Sequence, residues 1–184
     1  MRKITLLLLL GASFMTRAQS DFQKTDENYG GTIFTVQNII FTINYSRTVN
    51  DIIIFGKYDF VDSELAVRSC CEDGKTKKDN VKVLARLFHF SVELGSDLIL
   101  AEIKAAGYRP ATLLELLTFD EVVGIPPQSS HEVVALGSLI KCSNNHFGVP
   151  FINNNYLGRS LDLAWYNGDW ETSYYFLAIK NKMF

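Results

Sequence analysis

The sequence predicts an α+β domain with mixed or antiparallel sheets and two or three short helices. Segments rich in β-branched and aromatic residues, which favour strands, recur along the chain, most clearly over 33–43 and 81–92. Only a few segments have a helix-capping residue followed by apolar residues at helical spacing, which predicts few helices. The chain has 184 residues, of which 47% are hydrophobic and 21% charged, the balance of an ordinary globular protein. A chain of this size and composition is expected to fold.

The N-terminal segment 1–18 is typical of a cleavable signal peptide. Two basic residues precede an apolar run over 4–14, and Thr16 and Ala18 are small, so cleavage is expected after Ala18. A membrane anchor needs roughly 20 consecutive apolar residues, and this run is shorter; an uncleaved anchor is the alternative. We expect an exported protein, whether periplasmic, on the cell surface or secreted, with no membrane span after cleavage.

Segment 19–31 is predicted to be a flexible lead-in because it is polar and ends in two glycines. Residues 32–184 are predicted to form one single α+β domain, since about 165 residues remain after cleavage and one domain commonly has that size. This domain is expected to begin with one long or two short strands over 33–43.

A short helix is predicted over 49–55. Thr48 can cap its first turn, and Gly56 follows its last residue. Three consecutive isoleucines over 52–54 favour a strand instead, and this alternative stays open. A polar turn over 72–80 then precedes the strand over 81–92.

Two further helices have clearer boundary signals. Ser96 is expected to cap a helix over 97–106, which Gly107 ends. Thr112 and Glu115 have the three-residue spacing of a capping box, which predicts a helix over 113–119.

The C-terminal part is predicted to be β-rich with one irregular segment. A strand is expected over 132–140, followed by an irregular stretch over 141–158 because asparagines favour turns. Strands over 161–165 and 174–179 flank a turn at 167–169, which predicts a hairpin.

Three blocks in the last half of the chain, GYRPATLLELL (107–117), VALGS (134–138) and FLAIK (176–180), resemble a group of uncharacterised bacterial proteins that carry them in the same order. That group has no assigned activity. The resemblance therefore implies a shared fold and no particular function.

The order of elements from 83 to the C-terminus is also similar to the C-type-lectin-like fold of bacterial proteins, in which a Gly-Tyr/Trp-Arg-Leu-Pro-Thr turn joins two helices. Ala111 interrupts that turn motif, and the disulfides of animal lectins are missing. Asn167 and Asp169 resemble part of the calcium-ligand motif of sugar-binding members, but its partner motif is absent. Calcium-dependent sugar binding is therefore not implied.

Charge and motif content exclude several classes of function. The formal net charge of −2 is unlike the basic footprint of nucleic-acid-binding proteins, so no nucleic-acid partner is predicted. Glycine-rich phosphate loops are absent, and no cofactor is predicted. Three cysteines, Cys70, Cys71 and Cys142, are too few for a disulfide scaffold, and a single bridge from Cys142 to either of the other two is the alternative to three free thiols.

Catalytic signals are weak, so the chain is not predicted to be an enzyme. Cys142 and His146, with His131, are the weak candidates for a metal site, which needs three or four ligands, and no metal is predicted. No nucleophile elbow is present. A hydrolase that uses a metal, or a carboxylate pair drawn from Asp162, Asp169 and Glu171, is the alternative.

Aromatic and amide side chains crowd the region from 153 to 176, and together they can form a ligand platform. Trp170 is expected to be exposed because it follows a turn. The alternative is that the same aromatics form a core face. We expect a binding or interaction module for an unknown ligand, a glycan or a protein; a structural envelope protein is a further alternative. The candidate ligand-binding residues are Trp165, Asn167, Asp169, Trp170, Asn153, Asn154 and Asn155.

Overall fold

The computed structural model describes residues 24–29, 32–68, 80–125 and 131–180. These residues form a mixed α+β structure, which confirms the predicted fold class. They contain four helices where two or three were expected. No helix within the described ranges is long and apolar enough to cross a bilayer.

The described helices are α1 (Val49–Phe55), α2 (Ser63–Arg68), α3 (Ser96–Ala105) and α4 (Leu113–Val122). The described strands are β1 (Lys24–Tyr29), β2 (Thr32–Ile43), β3 (Phe60–Val61), β4 (Val81–His89), β5 (Leu94–Gly95), β6 (Tyr108–Pro110), β7 (Glu132–Val134), β8 (Ile140–Lys141), β9 (Phe147–Asn155), β10 (Gly158–Trp165), β11 (Asp169–Trp170) and β12 (Tyr174–Lys180).

Ten of these strands form one mixed sheet in which β12 is central. Its order is β1-β2-β4-β12-β7-β9-β10-β3, while β6 also pairs with β12 and β8 with β9. Pairing is antiparallel except between β7 and β12 and between β3 and β10. Strands β5 and β11 form a separate antiparallel pair. Strand β12 therefore joins a half built from β1, β2 and β4 to a half built from β7, β9, β10 and β3.

Both faces of this sheet are covered, and the side chains of β12 alternate between two cores. Leu177 and Ile179 belong to the cluster that includes residues of α1 and α4. Phe176 and Ala178 belong to the cluster that includes residues of α3. Successive side chains of a strand point to opposite faces, so a strand covered on both sides is apolar at every position. This explains the continuous apolar run 176–179.

The first turn of α4 is held by a buried carboxylate. Glu115 accepts hydrogen bonds from the Thr112 N–H (2.8 Å), from Arg109 Nη1 (2.8 Å) and Nη2, and from the Tyr45 hydroxyl. Burial alone would raise the pKa of this carboxyl, but the hydrogen bonds and charge of Arg109, with Tyr45 and Thr112, lower the pKa below its usual value. An ionised Glu115 thus joins α4 to β6 and to the turn after β2.

The cap signals predicted the helices well, with one correction. Thr48 and Asp51 form a capping box, which confirms α1 over the strand alternative. The helix predicted over 113–119 is confirmed and continues to Val122. Ser96, however, is the first residue of α3 and not its cap, because Gly95 holds the cap position and the Ser96 hydroxyl donates to the Tyr166 carbonyl.

Several strand predictions are corrected. The segment expected to be a flexible lead-in contains β1, which pairs with β2 along its whole length. The predicted strand over 132–140 is divided into β7 and β8 by a turn. The predicted polar turn lies almost entirely outside the described residues. The strand predicted over 81–92 ends at His89.

The irregular segment predicted over 141–158 and the C-terminal hairpin are both wrong. Residues 147–155 form β9, and its residues 148–155 pair with the whole of β10. The strands predicted as the hairpin do not pair with each other: β10 lies between β9 and β3, whereas β12 pairs with β4, β6 and β7. The asparagine-rich segment, with its buried Val149 and Ile152, supplies the antiparallel partner of β10.

Candidate functional site

The two tryptophans have opposite environments. Trp165, at the end of β10, is 61% exposed, as a ligand platform requires. Trp170 is only 4% exposed, so the prediction that it is exposed was wrong. Its indole N–H donates to Ser96 Oγ at 2.8 Å, and its ring packs edge-on against Tyr174 and Phe176. Trp170 is therefore a core residue that fixes β11 beneath α3.

The predicted amide residues are dispersed. The Asn153 amide donates to Glu132 Oε1 at 3.1 Å, the Asn154 amide donates to the Ile125 carbonyl at 2.7 Å, and Asn155 accepts from the Leu157 N–H. Asn167 is exposed in the turn after β10, and Asp169 pairs with the residue that precedes α3. The seven predicted residues do not converge on one site.

The candidate metal ligands do not form a cluster. No group of three or more His, Cys, Asp or Glu side chains able to hold a metal occurs within the described ranges. Cys142 and His146 share one turn, in which the Cys142 N–H donates to the His146 carbonyl. The His146 ring packs on Trp165 with centroids 4.5 Å apart, whereas His131 packs on Tyr175 at 4.7 Å. Cys70 and Cys71 lie outside the described residues.

The candidate carboxylates Asp162 and Asp169 lie on different strands. Asp169 is exposed in β11, whereas Asp162 is half-buried in β10. Burial raises the pKa of Asp162, and the neighbouring Asp62 charge adds to this. Burial likewise raises the pKa of Glu132, and the charges of Glu171 and Asp162 act in the same direction. This group is an acidic surface and not a defined pair.

One concave site was not predicted from the sequence. It lies between the end of α1, the end of α4 and β10, and we call it the Arg159 pocket. Its volume is about 530 Å³, which is within the usual range for small-molecule sites. Its lining includes Phe55, Tyr58, Asp120, Asn154 and Arg159.

The base of the Arg159 pocket is a buried ion pair. Arg159 donates to Asp120 through Nε (3.1 Å) and Nη2, and through Nη1 to the Gly56 carbonyl. The Tyr58 hydroxyl donates to Asp120 at 2.8 Å, and the Arg159 guanidinium lies 4.5 Å from the centre of the Tyr58 ring. Burial raises the pKa of Tyr58, and the Asp120 charge raises it further. Tyr58 is therefore a neutral donor and not a base.

Asp120 has a structural function in this arrangement. Its second oxygen accepts from the Ile125 N–H, and its side chain is 1% exposed. With four donors directed at it, the carboxylate has little capacity left for proton transfer. The polar groups that remain available to a ligand are the outer N–H groups of Arg159, the Asn154 amide oxygen and the exposed Lys57, which forms no ion pair with a described residue.

The rim of the Arg159 pocket is apolar. Phe55 is 71% exposed and Val122 58% exposed, and both line the pocket. Tyr156 and Leu157 form the nearby turn between β9 and β10 and are even more exposed. Large exposed apolar side chains gathered around a pocket are typical of a binding site. This arrangement can hold an apolar group above a polar base.

Sequence reasoning missed this site because its members are far apart in the chain. Asp120 and Arg159 are 39 residues apart, and Tyr58 and Asp120 are 62 apart. One local signal was present: Asp120 directly follows Phe119 in α4, a helix with four large apolar residues among its buried positions and one other buried acid, Glu115. An acidic residue there needs a cationic partner.

Comparisons of this chain with protein-family models, with curated proteins and with solved structures gave no match.

Proposed function

We propose that this protein is an exported binding protein and that the Arg159 pocket receives a small ligand with an apolar body and an anionic group such as a carboxylate. The observation that carries this proposal is the pairing of an apolar, exposed rim with a polar base inside one pocket of about 530 Å³. A binding role is favoured over catalysis because the oxygens of Asp120 are occupied by four hydrogen-bond donors, and because Tyr58 is held in its neutral, donating form.

The anionic group is favoured by the charges that remain accessible. Asp120 neutralises one positive charge, but Lys57 at the edge of the pocket has no acidic partner among the described residues. Glu121, which also lines the pocket, is paired with Arg47. An incoming carboxylate would therefore meet Lys57 and the outer N–H groups of Arg159, which bind such groups well.

Octanoate and its neutral analogue octanol are suitable probes. Binding is measured by titration calorimetry and by NMR shifts of the purified mature protein. Phe55→Ala should weaken octanoate binding about tenfold by removing apolar contact. Leu98→Ala is the matched control, because Leu98 is 60% exposed but lies on α3, on the other face of the sheet.

The charge requirement is tested separately. Lys57→Gln should weaken octanoate and leave octanol unchanged, since only the first carries a charge. The proposal is contradicted if octanoate does not bind, or if Phe55→Ala and Leu98→Ala have equal effects.

Export is tested by sequencing the N-terminus of the protein recovered from its host. A mature chain that begins at Gln19 supports the proposed signal peptide, and an intact N-terminus in the cytoplasm contradicts it. The resemblances to the uncharacterised bacterial group and to the C-type-lectin-like fold remain proposals, and the binding role does not depend on them.

A further inference from the structure

A second concave surface lies at the end of β10, next to the exposed Trp165. We call it the Trp165 groove. It has a volume of about 190 Å³ and runs between the start of α2, the turn at 142–146 and the last residues of β10. It is separate from the Arg159 pocket, with which it shares no lining residue.

The outer edge of β10 is only partly covered by β3. The pairing of these strands is limited to Ser160 and Leu161. The odd-numbered residues of β10 point their backbone groups away from β9, towards β3. Two hydrogen bonds show this: the Asp59 N–H donates to the Arg159 carbonyl, and the Asp62 N–H donates to the Leu161 carbonyl. The bond from the Tyr166 N–H to the Phe147 carbonyl shows that even-numbered residues face β9.

Backbone groups of Leu163 and Trp165 are therefore left at an open sheet edge. The Leu163 N–H is satisfied by its neighbour Asp162 at 2.7 Å, and the Trp165 carbonyl accepts from the Gly168 N–H. The Leu163 carbonyl and the Trp165 N–H have no hydrogen-bond partner among the described residues. An open edge of this kind pairs with an extended chain.

The side chains around this edge determine which chain fits. Trp165 provides an exposed aromatic face backed by His146, and aromatic faces attract cations. Asp62 and Glu64 line the same groove, and Asp62 forms no ion pair with a described residue. Backbone N–H groups hold both carboxylates in place: the Glu64 N–H donates to Asp62 at 2.7 Å, and the Ser143 N–H donates to Glu64 at 2.9 Å.

We infer that the Trp165 groove binds an extended, basic segment of a partner protein. The segment adds to the sheet by hydrogen bonds to the Leu163 carbonyl and the Trp165 N–H, and it places a Lys or Arg side chain on the Trp165 ring beside Asp62. The charge complementarity selects a basic partner, and the edge selects an extended one.

Three peptides test the two parts of this inference on the mature protein. Ac-VRVRV-NH2 has the extended form and the charge, Ac-VEVEV-NH2 has the opposite charge, and Ac-VRPRV-NH2 keeps the charge but cannot pair fully as a strand. Titration followed by Trp165 fluorescence and by NMR should show binding of the first peptide, no binding of the second and weaker binding of the third. Hydrogen exchange at the Trp165 N–H should slow when the first peptide is bound.

Two variants and one control complete the test. Trp165→Ala should weaken Ac-VRVRV-NH2 by about threefold to thirtyfold, with binding then followed by NMR. Asp62→Asn should also weaken it, while still accepting the Glu64 N–H. Tyr156→Ala removes a residue that is 84% exposed at the other end of β10 and should change nothing. The inference is overturned if Ac-VRVRV-NH2 fails to bind, if Ac-VEVEV-NH2 or Ac-VRPRV-NH2 binds equally well, or if Trp165→Ala behaves like Tyr156→Ala.

Discussion

Glu115 and Asp120 are both carboxylates buried on α4, and each is balanced by one arginine. Arg109 pairs with Glu115 and is 40% exposed, whereas Arg159 pairs with Asp120 and is 25% exposed. A buried carboxylate without its partner is costly, so each acid positions an arginine from a different strand. The two pairs thereby fix β6 and β10 relative to one helix.

Protonation of Glu115 should destabilise the fold in acid. Because the folded-state pKa is below the usual 4.5, the ion pair stabilises the protein fully above that pH, and this stabilisation is lost as the pH falls through the folded-state value. Glu115→Gln should lower the free energy of unfolding at pH 7 by about 1–3 kcal/mol. The free energy of unfolding of the variant should also decline less between pH 5 and pH 3 than that of the native protein, as measured by urea unfolding.

The control for this experiment is Glu132→Gln. The pKa of Glu132 is shifted in the opposite direction, upwards. The contribution of Glu132 to stability therefore falls as the pH rises from its usual pKa through its raised, folded-state pKa. Equal pH profiles for Glu115→Gln and the native protein would contradict the role assigned to Glu115.

At the scale of elements, local signals predicted helices and failed for strand pairing. The caps at Thr48 and Thr112 lie within four residues of the groups they bind, so the sequence alone located α1 and α4. The partners of β10 and β12 are set by packing across the whole sheet, which no local pattern contains. Trp170 was misassigned for the same reason, because its partner Ser96 is 74 residues away.

The turn between β9 and β10 depends on Gly158. Its φ of +125° is unfavourable for other residues, and an added Cβ would lie 2.6 Å from Asp59 Oδ2. Gly158→Ala should therefore lower the free energy of unfolding by about 1–3 kcal/mol, measured by thermal or urea unfolding. Gly168→Ala is the matched control, since its nearest contact would be at 3.6 Å and its φ is not positive. Equal stability of the two variants would be inconsistent with this account.

At the scale of the molecule, β12 connects both halves of the sheet and both cores. Phe176 is fully surrounded there, whereas Phe60 lies on the edge strand β3 and is 54% exposed. The fold class was predictable because it follows from composition and periodicity. The central position of β12 and the Arg159 pocket were not predictable, because both arise where distant segments meet.

Alanine substitutions of Phe176 and Phe60 measure how much more the central strand β12 contributes to stability than the edge strand β3. Phe176→Ala should lower the free energy of unfolding by about 3–5 kcal/mol, and Phe60→Ala by less than about 1 kcal/mol. Unfolding should remain a single transition, followed by fluorescence and circular dichroism together, because β12 belongs to both cores. Separate transitions by the two probes would show that the two halves of the sheet unfold independently. Equal losses of unfolding free energy for the two variants would contradict the central position of β12.

Strand β12 is synthesised after every other described element, so the two halves of the sheet stay unconnected until it emerges from the ribosome. Pairing of β4 with β12 must wait until residues 90–173 have emerged. The sheet is therefore completed by a late, long-range pairing, and the edges of β4 and β7 stay open until that pairing forms.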